Sequence, residues 1–144
     1  MKKYFLLLLL WIVTSDANAI QITMPTEVTI LALSNSVSTR VSLKVGDVEK
    51  FYSHKIFIKQ VPLEKYEPIK SFNELLKTAK IDSNRKIDTI DCRWKIEIKC
   101  EDKVEAFYFD GNHEEMVFEN KVYVLPDKKR RDAFFDSFDR VVGN

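Results

Sequence analysis

Residues 90–100 read IDCRWKIEIKC, and the architecture turns on this stretch. Cys92, Trp94, Ile96, Ile98 and Cys100 alternate with Asp91, Arg93, Lys95, Glu97 and Lys99. A period of two puts the first set on one face of a strand and the charged set on the other, so residues 92–100 are expected as a strand with one buried and one wet face.

The same stretch holds both cysteines of the chain. At ~3.3 Å per residue along a strand their Cα atoms stand about 26 Å apart, whereas a disulfide needs them within ~7 Å. A helix would still leave about 12 Å. Closing a Cys92–Cys100 bond would require a chain reversal inside RWKIEIK, which has no Gly, Pro, Asn or Asp to make one. The compartment argues the other way, because exported proteins are usually oxidised. The geometry therefore opposes a Cys92–Cys100 disulfide that the compartment favours, with buried thiols or bonds to a second chain as the alternatives. A catalytic cysteine would need an adjacent base, and only surface-type Arg and Lys flank these two.

Export is read from the start of the chain, MKKYFLLLLLWIVTSDANA. Lys2 and Lys3 are followed by an apolar run from Phe5 to Val13, and Ala17-Asn18-Ala19 gives a small-x-small exit. Those parts in that order describe a secretory signal peptide over 1–19, cleaved after Ala19, and a periplasmic product. The run falls short of the ~20 apolar residues of a membrane span, so no stable membrane insertion is expected. The full chain carries 23 Lys+Arg and 22 Asp+Glu, and loss of Lys2, Lys3 and Asp16 leaves equal numbers of each. A nucleic-acid partner would call for a basic excess. Only Gly46, Gly111 and Gly143 occur, too few for phosphate-cradling or dinucleotide-binding loops, so no cofactor is expected.

The rest of the chain, 20–144, reads as a single α+β domain. Strands are expected at Glu27 to Leu33, around Val41, Leu43 and Val45, and from Ser53 to Val61, where Pro62 stops the ladder. A helix over about 72–80 follows from Phe72, Leu75, Leu76 and Ala79, with Ser71 as N-cap and Glu74 at capping-box spacing. DSNRK, 82–86, is an exposed loop. After the central strand come a hairpin partner through Val104 to Phe109, a loop DGNHEE at 110–115, and short strands at Met116 to Phe118 and Val122 to Leu125. Asp127 caps a last helix over about 128–142, whose apolar stripe includes Ala133, Phe134, Phe135 and Phe138. The expected fold is an antiparallel sheet, a meander in its second half, with two packed helices. Because Phe107 and Phe109 alternate with Tyr108, one of the two sets is expected to be exposed as a binding face.

Catalytic and metal chemistry find little support. His54 and His113 lie in no cluster of zinc-ligand spacing. Asp110, Asn112 and Glu114 alternate as in a calcium loop, but Gly111 is at the second place instead of the sixth and the loop ends early at Met116. DKKRRD, 127–132, is a basic cluster at a helix start, where the dipole prefers acids; it reads as a solvated face or an anion patch. The sequence thus points away from an enzyme and toward a binding protein: a periplasmic inhibitor or immunity protein that occludes an envelope-acting toxin or cell-wall hydrolase. The expected contact residues are Asp110, Asn112, His113, Glu114 and Glu115, a polar loop between two strands. The alternative is an accessory subunit of a pilus or secretion apparatus, using an open strand edge or the Phe107/Phe109 face.

Overall fold

Strand β4 (Cys92–Cys100) lies in the interior of the sheet, hydrogen-bonded on one side to β1 (Glu27–Ala32) and on the other to β5 (Lys103–Asp110). The computed structural model describes residues 27–33, 42–59, 67–100 and 102–142; the expected leader 1–19 and the stretch around Val41 lie outside them. With β2 (His54–Lys59), β3 (Lys80–Ile81), β6 (Glu115–Phe118) and β7 (Lys121–Val124), the strands form one antiparallel sheet in the order β2-β1-β4-β5-β6-β7-β3. Strands β4 to β7 are the expected meander. The β6–β7 link is a two-residue turn in which Glu119 (φ 47°) and Asn120 (φ 57°) are both left-handed, the type I′ geometry that matches strand twist.

The helices differ from expectation at their ends. Helix α1 (Val48–Phe51) follows the Gly46-Asp47 turn and has no counterpart in the sequence reading. Helix α2 runs Glu67–Leu76, not 72–80: Pro68 sits in its first turn, where no N–H is needed, and Ser71 is interior and not a cap. Residues 80–81 instead pair with β7. Helix α3 (Lys128–Val142) starts as expected, with the Arg130 N–H donating to Asp127 Oδ1 at 3.1 Å.

The main core lies between one sheet face and helices α2 and α3. Phe72 is at its centre, stacked on Phe134 (centroids 4.8 Å) and edge-on to Phe107 (5.0 Å) and Phe109 (6.0 Å). Phe107 and Phe109 are fully buried, which corrects the expectation of an exposed aromatic face; Tyr108, half-buried, is on the other side.

That other side is not simply wet. A β-bulge between Cys92 and Trp94 shifts the side-chain parity, so Cys92 joins a second cluster with Leu31, Val48, Val117 and Val122, while Trp94, Ile96 and Ile98 serve the main core. The same-face reading of Cys92 with Trp94 is therefore corrected. No disulfide joins Cys92 to Cys100, which stand at opposite ends of the strand. Residues 42–44 form no strand: the Leu43 N–H donates to Asp91 Oδ1 (2.8 Å) and its carbonyl accepts from the Cys92 N–H (2.8 Å), tying the segment to the bulge.

Helix α1 covers part of this back face and buries Lys95, whose ammonium pairs with Glu49 Oε1 (2.7 Å) and Glu97 Oε2 (2.8 Å). Tyr108 donates its hydroxyl to the same Glu49 oxygen (2.7 Å). Burial opposes both charges. The hydrogen bonds outweigh it, holding the Glu49 carboxyl below its ordinary 4.5 and the Lys95 ammonium above its ordinary value.

Two measurements test this packing. Phe72→Ala should cost about 3–5 kcal/mol in urea denaturation, the cost of emptying an aromatic core site. Glu49→Gln should cost about 1–3 kcal/mol at pH 7. A depressed carboxylate stabilises the fold above its unfolded pKa and loses that contribution as pH falls through its folded value, so the variant and the wild type should converge in acid.

Candidate functional site

The 110–115 loop is built around one carboxylate. Asp110 ends β5 at the strand's bulged partner, is buried, and turns its side chain into the loop. Its Oδ1 accepts the N–H groups of Glu114 (2.7 Å) and Glu115 (2.9 Å), and Oδ2 accepts that of Asn112 (3.1 Å). Its carbonyl accepts the His113 N–H at 3.2 Å. Three backbone donors on one anion fix the turn, and this explains why His113 (φ 60°) can hold a left-handed conformation.

Neighbouring elements clamp what Asp110 shapes. The His113 ring stacks on Phe135 of α3 (centroids 3.5 Å, planes 6° apart) and meets Trp94 edge-on at 5.5 Å. The Leu125 N–H donates to the Glu114 carbonyl (2.9 Å). Glu115 receives two N–H groups of Arg85, at 2.8 and 3.2 Å, a bidentate pair across the sheet surface that raises the Arg85 pKa. Glu114 stays 62% exposed with a long ion pair to Arg131 (3.7 Å), and Asn112 is exposed. The five sequence-selected residues thus divide. Asp110, His113 and Glu115 hold the loop, and Asn112 and Glu114 present it. Arg85, Phe135 and Trp94 also position the loop. Their separation from it in sequence leaves no spacing signal.

Three of the four cations in the basic cluster have local partners, and Lys129 is exposed: Arg130 donates to the Glu74 carbonyl near the end of α2 (3.2 Å), Arg131 donates to the Leu125 carbonyl, and Lys128 pairs with Asp132 (2.6 Å). These bonds offset the unfavourable placement at a helix start. The Cys92 thiol is pushed up to about 12 by burial and by the nearby Asp91 and Asp110 carboxylates, the opposite of an activated nucleophile. Among the described residues no group of three or more His, Cys, Asp or Glu could hold a metal, and no helix is long and apolar enough to cross a membrane.

No family model matches this chain, and no curated protein or solved structure does so significantly.

Asp110→Ala should leave three loop N–H groups without their acceptor and cost about 2–4 kcal/mol in urea denaturation. Amide exchange at 112, 114 and 115 should accelerate more than at β4. Unchanged protection in the loop would contradict the clamp.

Proposed function

We propose that this chain is an exported, non-enzymatic binding protein of the periplasm, released from its leader after Ala19. In this reading it occludes an envelope-acting toxin or cell-wall hydrolase as an inhibitor or immunity protein. The observation that carries the proposal is the pre-shaped 110–115 loop. Its backbone is held by Asp110 and its base by the His113–Phe135 stack, while Asn112 and Glu114 project from it. A loop already ordered in the free protein loses little conformational entropy on docking, so a few exposed polar groups suffice to specify a target cleft. The raised Cys92 pKa and the packed His113 ring favour a binding role over a catalytic one.

A second reading, an accessory subunit of a pilus or secretion apparatus, draws on β2. This strand lies at one margin of the sheet, and Phe57 on it is 54% exposed, with Phe51 and Tyr52 exposed just before it. Such an edge suits strand addition by an assembly partner.

Affinity capture from periplasmic extract separates the two. The wild-type bait should retain a soluble toxin or hydrolase, and the double variant Asn112→Ala/Glu114→Ala, which spares the loop's clamps, should lose it. Retention by both baits would remove the loop from the interface. Recovery of membrane-anchored assembly components, lost on Phe57→Lys instead, would replace inhibition by the subunit reading.

A further inference from the structure

At the sheet margin opposite β2 lies an open cleft of about 790 Å³, within the range of ligand pockets. It is formed where β3, β7, the 82–88 segment and the Lys44-Val45 segment meet. Val45, Ile81, Ile87 and Val122 give it apolar lining, and Val45 and Ile81 are 39% and 55% exposed. Exposed apolar groups gathered in a hollow are unlike single ones scattered on a surface, because a ligand can cover them together.

The charges around the cleft are unbalanced. Lys44, Lys86 and Lys121 line it, and none forms a salt bridge among the described residues. Arg85 also lines it but is engaged by Glu115. Asp82 and Asp88 oppose them, and Asp82 already accepts the Asn84 N–H (3.0 Å). Elsewhere on this protein cations are mostly matched: Lys95, Lys99, Lys103, Lys128, Arg130 and Arg131 all have carboxylate partners. Lys55, Lys70, Lys80 and Lys129 also have no salt bridge among the described residues, but none of them lines this cleft, which gathers three such lysines in one hollow.

The backbone supplies a third feature. The Asp82 N–H donates to the Val122 carbonyl (2.9 Å), which makes those two a hydrogen-bonded pair. In antiparallel alternation the preceding pair, Ile81 opposite Tyr123, is then non-bonded, and Ile81 directs its own N–H and C=O away from β7. Among the described residues β3 is last in the sheet, and those groups face the side away from β7.

We propose that this cleft binds an extended, acidic peptide segment of a partner protein, one with apolar side chains alternating with carboxylates. The main chain of the segment pairs with Ile81, its apolar side chains cover Val45 and Ile87, and its carboxylates meet Lys44, Lys86 and Lys121. A small anion would use the lysines but neither the apolar lining nor the outward backbone groups. The proposal does not rest on the loop-occlusion reading, since the two surfaces share only the Arg85–Glu115 contact.

The test uses a fluorescein-labelled peptide of three Glu-Leu repeats against the mature protein, read by anisotropy, with three Lys-Leu repeats as the charge control. Saturable binding of the acidic peptide that weakens with salt is expected, with no binding of the basic one. Lys86→Glu/Lys121→Glu should weaken it about tenfold or more, because like charges would then face each other. Lys129→Glu, an exposed change on α3, should leave it intact. Ile81→Pro removes the outward N–H without breaking a ladder bond and should bind more weakly than Ile81→Ala; urea midpoints verify that each variant is folded. Equal binding by the charge-reversal variant, equal binding by the Pro and Ala variants, or no acidic-peptide binding at all overturns the proposal. So would binding only to phosphatidylglycerol vesicles, which would make the lysines a membrane contact.

Discussion

The structure depends on a change of parity within one strand. Strand β4 pairs along most of its length with both β1 and β5, and a regular strand would commit all its even-numbered side chains to one face. The bulge between Cys92 and Trp94 releases it from that constraint. Downstream of the bulge the strand supplies Trp94, Ile96 and Ile98 to the helix-covered core; at the bulge it gives Cys92 to the back cluster. The same irregularity sets Asp110 opposite Cys92 and leaves Asp91 free to accept from Leu43. Both the 110–115 loop and the attachment of residues 42–44 therefore begin at this point in the ladder.

Much of the fold was legible because its signals are local. The alternation in 92–100, the turn at Glu119-Asn120, the Asp127 cap and the apolar stripe on α3 each lie within a few residues and each corresponds to an observed element. What escaped was set by distant packing. Ser71 and Glu74 have capping-box spacing, but Pro68 and Ile69 are buried, so the helix begins a turn earlier to place them. Lys95 looks like a solvent-facing residue until α1, whose four residues carry no strong periodicity, covers it. The candidate loop was found by its polarity, but polarity could not distinguish the carboxylate that builds it from the groups that face outward. That division follows from Asp110 being buried and Asn112 exposed, which only the three-dimensional arrangement supplies.

Near-neutral composition also acquires a physical meaning. The charges are not spread as a uniform hydrophilic coat. Several are used in contacts that fasten specific joints: Arg130 on the Glu74 carbonyl near the end of α2, Arg85 across to Glu115 of β6, Lys95 beneath α1. The exposed Arg85–Glu115 pair contributes little in energy, whereas Lys95 is buried with its partners, and each fixes an orientation. Three lysines without such a partner, Lys44, Lys86 and Lys121, line the cleft beside β3.

The position of β1 carries a consequence for how the chain assembles. This strand is the earliest among the described residues, yet it lies between β2 and β4 and matches Glu27 to both Lys59 and Lys99. A chain emerging from its N-terminus can close the β1–β2 ladder first, but the other side of β1 must wait for residues 92–100. Until then its second row of backbone groups is an open template, and the closing step spans a long loop and is entropically slow. The β4–β7 meander, in contrast, can zip between sequence neighbours. The fold therefore has a fast half and a seam, and the vulnerable interval in its biogenesis is the time for which that seam stays open.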